Sequence, residues 1–128
     1  DQPPAGAKKR PRLLTPQERI TQLLDSDTLE LEALTYIRGR SISRQYMIVD
    51  EAQNLTPHEV KTVVSRAGEG TKVILTGDPY QIDNPYLDAS SNGLTYAAER
   101  LKELPLHGHV TLRQSERSQL AAAAAKYL

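Results

Sequence analysis

The stretch Tyr46-Met47-Ile48-Val49-Asp50-Glu51-Ala52-Gln53-Asn54 decides the fold. Its first four residues form an unbroken apolar run, too short for a helix and rich enough in β-branched residues to predict a strand. A run apolar at every position predicts burial on both faces, the mark of a parallel sheet. The strand ends on two adjacent carboxylates, and in an open parallel sheet ligands sit at the carboxyl ends of the strands. Successive side chains diverge there, so Asp50 and Glu51 suit different tasks. One can hold Mg²⁺ through its water shell, and the other can orient or deprotonate a nucleophilic water. The pair also suits a purely structural task, decorating a helix N-terminus with acids that favour its dipole.

Val73-Ile74-Leu75 begins a second run of the same kind and leads into Thr76-Gly77-Asp78-Pro79-Tyr80-Gln81. Gly77 lets backbone approach a ligand closely. If the two strands are neighbours, Asp78 and Gln81 open onto the same edge as Asp50 and Glu51. A glutamine there can read a terminal phosphate or hold an attacking water. The competing reading is a Gly-Asp-Pro turn that joins strand to helix.

Helix signals lie between and around these strands. Thr15-Pro16 with Glu18, and Thr56-Pro57 with Glu59, both have the spacing of a capping box with proline in the first turn. They predict helices to about Asp25 and to Gly68, the second with Val60, Val63, Val64 and Ala67 on one face. Two more helices are expected over about Leu94–Leu104 and Ser115–Leu128. Leu29–Leu34 alternates apolar and acidic residues and predicts a half-buried strand, and Val110–Leu112 predicts a weaker one. Helix and strand alternate, which makes the fold class α/β with a parallel sheet. Arg117, expected in the first turn of the last helix, has a guanidinium suited to phosphate, although most such arginines are surface residues.

Composition bounds the remaining choices. The 128 residues carry 16 basic and 16 acidic side chains, so the molecule has no net field to draw nucleic acid. Binding must then come from local patches. Lys8-Lys9-Arg10-Pro11-Arg12 is one, in a proline-rich arm, Asp1–Leu14, that reads as a solvated, disordered tail. Arg38, Arg40 and Arg44 beside Tyr36 are another. Guanidinium groups grip phosphate and tyrosine stacks on bases, so this loop fits single-stranded RNA. The rival readings are an arginine finger reaching a neighbouring subunit's nucleotide, or a plain solvated loop. The chain has no cysteine, which excludes disulfides, thiolate zinc sites and cysteine nucleophiles. Its three histidines are scattered without metal-ligand spacing. No apolar run approaches the roughly 20 residues of a membrane span. These absences make the expected location cytoplasmic, with no membrane partner.

In order and spacing, the quoted segments resemble the ATPase domain of PhoH-like proteins, in its C-terminal, Walker B-bearing half. The resemblance spans about Glu18 to Leu128 and is nearest to the type fused behind a PIN ribonuclease domain. Glu32–Ile42 resembles the family's strand and basic loop. Asp50-Glu51-Ala52-Gln53-Asn54 resembles its Walker B motif, Thr76–Asp83 resembles helicase motif III, and Arg117 matches the phosphate-sensing arginine. Asn84-Pro85, Asp88 and Ser91-Asn92-Gly93-Leu94 resemble the loop before the next helix.

This resemblance implies a three-layer P-loop (ASCE) sheet, ATP and Mg²⁺ as ligands, ring-shaped homo-oligomers and helicase-like RNA metabolism linked to phosphate starvation. It implies that Asp50 binds Mg²⁺ through water, Glu51 activates water, Gln81 senses the γ-phosphate and Arg117 stabilises transferred charge, with Gly77 and Asp78 in the nucleotide edge. Residues 15–128 would form a partial ATPase domain behind the 1–14 tail. The chain departs from the family in one respect: it contains no Gly-x-x-x-x-Gly-Lys-[Ser/Thr], so the Walker A cradle, its lysine and the strand that feeds them are missing. The expectation is an incomplete ATPase, inactive alone and completed by a missing N-terminal half. A non-catalytic nucleic-acid or protein-binding module, or a truncated remnant, are the rival readings.

Overall fold

The computed structural model describes residues 11–37, 39–114 and 116–128, so Arg38, Ser115 and the Lys8-Lys9-Arg10 part of the arm lie outside the described residues. The chain divides into two compact units, residues 1–37 and 38–128.

In the first unit, α1 (Pro16–Asp25) starts where its local chemistry dictates. The Thr15 hydroxyl accepts from the Glu18 N–H at 3.2 Å, and the Glu18 carboxylate accepts from the Thr15 N–H at 2.8 Å. That N–H, and then the Arg12 guanidinium, hold the Glu18 carboxyl below the usual carboxylate range. The strand expected over Leu29–Leu34 is not formed; Leu34–Tyr36 is a turn of 3₁₀ helix instead. Alternation specifies a strand only when another strand accepts it, and among the described residues none pairs there.

In the second unit, β1 (Tyr46–Val49) and β2 (Lys72–Leu75) pair in parallel, with Ile48 opposite Ile74 and Val49 opposite Leu75. The connection between them runs through a 3₁₀ turn, Ala52–Asn54, and α2 (Pro57–Val64), making a βαβ crossover. Thr56 and Glu59 close a reciprocal cap at 3.1 Å in both directions. A parallel bridge between Ile42 and Ala67 continues the pairing below the strands. Next comes α3 (Gly93–Leu101), whose N-terminus docks by a 2.7 Å bond from the Gly93 N–H to the Leu55 carbonyl. The last helix, α4 (Gln119–Tyr127), is capped by Ser118 and buries no residue.

Ile42, Met47, Val49, Ala52, Leu55, Val60, Val63 and Ala97 form the core of this unit. Fully burying a valine or leucine is worth about 1.5–3 kcal/mol, so this short list carries most of the cohesion. Burial on both faces of the strands is not what the structure shows. β1 alternates, with Met47 and Val49 buried while Tyr46 and Ile48 are 72% and 66% exposed. α2 and α3 pack against each other, with Gly93 set on Val60, and do not take one face of the sheet each. The expected strand at Val110–Leu112 is unpaired, solvent-exposed chain. α4 begins four residues later than expected, which leaves Arg117 before the Ser118 cap and outside the first turn.

Candidate functional site

The ladder between β1 and β2 shapes the site. The Thr76 N–H donates to the Val49 carbonyl at 3.0 Å, and the Thr76 carbonyl accepts from the Ala52 N–H at 2.9 Å. Thr76 thus spans from Val49 to Ala52, and the two residues between them, Asp50 and Glu51, are looped out of the ladder at the carboxyl edge. Glu51 pays with a left-handed backbone, φ 54° and ψ 37°, which side chains other than glycine rarely adopt.

The two carboxylates have different partners. Asp50 Oδ1 accepts from the Thr76 hydroxyl at 2.7 Å and from the Glu51 N–H at 2.9 Å. Glu51 Oε2 accepts from Gln53 Nε2 at 2.5 Å. Both acids are exposed on the open edge. The Asp50 carboxylate and the Thr76 hydroxyl present adjacent hard oxygens to solvent, a donor set that suits a Mg²⁺ ion keeping several of its waters.

Asp78 and Gln81 stand on this same edge, joined in a closed turn. The Asp78 carbonyl accepts from the Gln81 N–H at 3.1 Å, its Oδ1 accepts from the Tyr80 N–H at 2.9 Å, and Pro79 holds the second position that proline favours. The Asp78 side chain therefore serves the turn, and the Gln81 side chain is exposed. The close approach that Gly77 permits is to the protein itself: a Cβ there would collide with Gln53 Oε1 and lie 3.3 Å from the Ala52 nitrogen.

The structure thus brings together Asp50, Glu51, Gly77, Asp78 and Gln81. Arg117 is exposed, and among the described residues no hydrogen bond or ion pair joins it to this cluster. Arg40 and Arg44 belong to the other end of the strand. Arg44 lies before β1 and Asp50 after it, so the length of this four-residue strand, roughly 13 Å, separates them. Arg40 and Arg44 therefore stand at the opposite end of the strand from the acidic edge. Arg44 has φ 52° and donates its N–H to the Glu69 carbonyl at 2.9 Å.

Sequence reasoning assigned no role to two amides that hold the site. Gln53 is 1% exposed, and its signal was an amide two residues past the acid pair, within the buried segment. Asn54 Oδ1 accepts from the Asp83 and Asn84 N–H groups at 2.7 and 3.3 Å, anchoring the loop that follows the turn. Among the described residues, no group of three or more His, Cys, Asp and Glu side chains forms a metal cluster, and no helix is long and apolar enough to cross a membrane.

A parallel crossover unit with its chemistry-bearing side chains at the carboxyl ends of the strands defines an α/β protein with an edge site. The family follows from comparison: a profile described as PhoH-like protein matches residues 12–127, and the chain belongs to that family. It is 56% identical over 113 residues to Protein PhoH2 of Bacillus subtilis, a match covering 88% of this chain and 26% of the relative. Protein PhoH2 of Thermobispora bispora is 43% identical over 115 residues, covering 90% and 26% of the two chains. A PhoH-like protein of Bacillus subtilis is 39% identical over 99 residues, covering 77% and 30%. The chain thus spans about a quarter of the length of these curated relatives.

Proposed function

We propose that this chain carries the Walker B and motif III edge of an ATP-hydrolysing, helicase-like P-loop site of the ASCE type, acting in RNA metabolism. The observation that carries the reading is the looped-out Asp50–Glu51 pair beside the anchored Asp78–Gln81 turn, on one edge of a parallel strand pair. In this reading Asp50, with Thr76 beside it, holds Mg²⁺ through water. Bound there, the ion neutralises phosphate charge. Glu51 orients and deprotonates the attacking water, Gln81 reads the γ-phosphate, and Arg117 comes to the site only in a larger assembly. Residues 15–128 form the partial ATPase domain and 1–14 an appended basic arm. The phosphate cradle comes from chain outside this sequence, which has no Walker A pattern.

A chimera tests this reading: the matching stretch of this chain replaces its counterpart in the Bacillus subtilis Protein PhoH2. Mg²⁺-dependent ATP hydrolysis by the chimera should fall at least about a hundredfold on Glu51→Gln, with nucleotide still bound. The 128-residue chain by itself should hydrolyse ATP no faster than its own Glu51→Gln version. Hydrolysis indifferent to Glu51, or absent from both chimera and parent, overturns the reading.

The basic loop gives the RNA part of the proposal. Arg40 and Arg44 stand at the far end of the strand from the acidic edge, so in this reading they meet phosphate on another molecule, and guanidinium groups suit the backbone of a single strand. Replacing Arg40 and Arg44 by alanine should reduce the salt slope of single-stranded RNA binding by about one to two units. An unchanged slope assigns the loop to solvent.

A further inference from the structure

We propose that Gln53 is the positioning residue of this edge: its buried amide fastens the Glu51 carboxylate to the Asp78–Gln81 turn, so that the two move as one body. The inference deepens the reading above and rests on it for the roles of Glu51 and Gln81. Its structural content stands separately.

The amide of Gln53 is used on both sides. Nε2 donates to Glu51 Oε2 at 2.5 Å and to the Gln81 carbonyl at 3.1 Å, which engages both of its hydrogens. Oε1 accepts from the Asp78 N–H at 3.3 Å. One planar group thus touches the looped-out acid and both ends of the turn. Because Gln53 is almost wholly buried, water cannot replace any of these partners. Moving the turn without the acid, or the acid without the turn, strands a buried polar atom. Other residues fit this arrangement: Ala52 is fully buried next to the amide in sequence, and only a glycine at 77 leaves room for Oε1.

The consequence is mechanical coupling. Glu51 is exposed, sits in an unfavourable backbone conformation, and has no hydrogen-bond partner for its side chain among the described residues other than Gln53. Without the amide its carboxylate would sample rotamers freely. With it, a displacement of Gln81, as when that residue engages a ligand, is transmitted through its carbonyl to the acid. Gln53 touches no substrate in this scheme and acts through Glu51 and Gln81.

The test uses two variants that keep volume or polarity. Gln53→Met fills the same space without an amide, and Gly77→Ala keeps every polar group but pushes Oε1 out of place. In ¹H–¹⁵N spectra of this chain, Glu51→Ala should shift the Asp78 and Gln81 amide signals. The response should vanish when Glu51→Ala is made in the Gln53→Met background. Exchange of the Asp78 amide should quicken roughly fivefold to tenfold in Gln53→Met and in Gly77→Ala. If the response to Glu51→Ala survives in Gln53→Met, the amide is not the link and the proposal is overturned.

In the chimera, Gln53→Met should lower kcat while leaving the KM for ATP unchanged, since it misplaces the acid without removing a nucleotide contact. A fall in kcat and a rise in KM together would reduce Gln53 to a packing residue and overturn its positioning role. Absence of hydrolysis from chimera and parent alike would sink the ATPase reading, while the spectra would still decide whether Gln53 couples acid to turn.

Discussion

At the scale of single residues, the most perturbed acid among the described residues lies in the loop that leads to α3. Asp88 Oδ1 accepts from the Ser90 hydroxyl, the Ser90 N–H and the Ser91 N–H, each at 2.8 Å. The Ser90 hydroxyl is the leading cause, and together these donors lower the Asp88 carboxyl to about 2. A carboxylate favoured by the folded state contributes stability that is complete above the unfolded value, about 3.9, and is lost as pH falls toward the folded one. Thermal midpoints of the wild-type chain should therefore decline between about pH 4 and pH 2 more steeply than those of Asp88→Asn, with a slope difference approaching one proton. The asparagine keeps an oxygen for the serine donors but cannot titrate. Superimposable pH curves would mean that the turn does not hold the ionised form.

Residues also mark the limit of what could be read in advance. The shared edge of Asp50, Glu51 and Gln81 was legible because the two apolar runs that precede them read as strands of one parallel sheet. Gln53 and Thr76 were not, although both lie in quoted segments. Their roles depend on which strand lies beside which, and a hydroxyl or amide becomes a bridge only when the partner strand arrives. Arg117 shows the converse. Its expected place in a first helical turn depended on where α4 starts, and the Ser118 cap sets that start one residue beyond it.

At the scale of elements, the helices that sequence predicted well are those whose starts are local. α1 and α2 begin at the expected threonine because a capping box needs only four consecutive residues. The strands predicted at Leu29–Leu34 and Val110–Leu112 failed because a strand is stabilised by a partner distant in sequence. The contact between α2 and α3 was likewise illegible. Asn92, fully buried and bonded through Nδ2 to the Asp88 and Ala89 carbonyls, fixes the entry into α3, and Gly93 makes the contact. A Cβ on Gly93 would lie 2.8 Å from the Leu55 carbonyl oxygen and 2.9 Å from that of Thr56, and closer still to Val60. Two of these are backbone atoms that cannot swing aside. Gly93→Ala should destabilise the unit by about 1–3 kcal/mol, read from chemical denaturation. Gly108→Ala, where a Cβ meets nothing within 4 Å, should change stability by no more than about 0.5 kcal/mol. Equal effects of the two substitutions would refute the close helix contact.

At the scale of the whole molecule, the sheet is the feature that the chain leaves unfinished. Two parallel strands bury Met47 and Val49 on one side, while the other side presents Ile48 at 66% and Ile74 at 41% exposure as directly paired neighbours. Tyr46 extends the patch, with the Lys72 ammonium 5.8 Å from its ring centroid. The outer edges of both strands are also unpaired among the described residues, and a sheet of two strands is marginal in water. A second copy that covered the apolar face and continued the ladder would satisfy these groups without altering the core, which predicts that the isolated chain self-associates. Ile48→Lys is the discriminating change. It places a charge at the centre of the face, opposite Ile74, yet touches none of the buried residues. Each copy would lose the burial of one isoleucine, about 1.5–3 kcal/mol, so the midpoint concentration for association should rise at least about tenfold. Light scattering over a concentration series reads this directly. A wild-type chain that stays monomeric throughout, or an Ile48→Lys variant that associates as well as the wild type, would show that the open face does not join the chains.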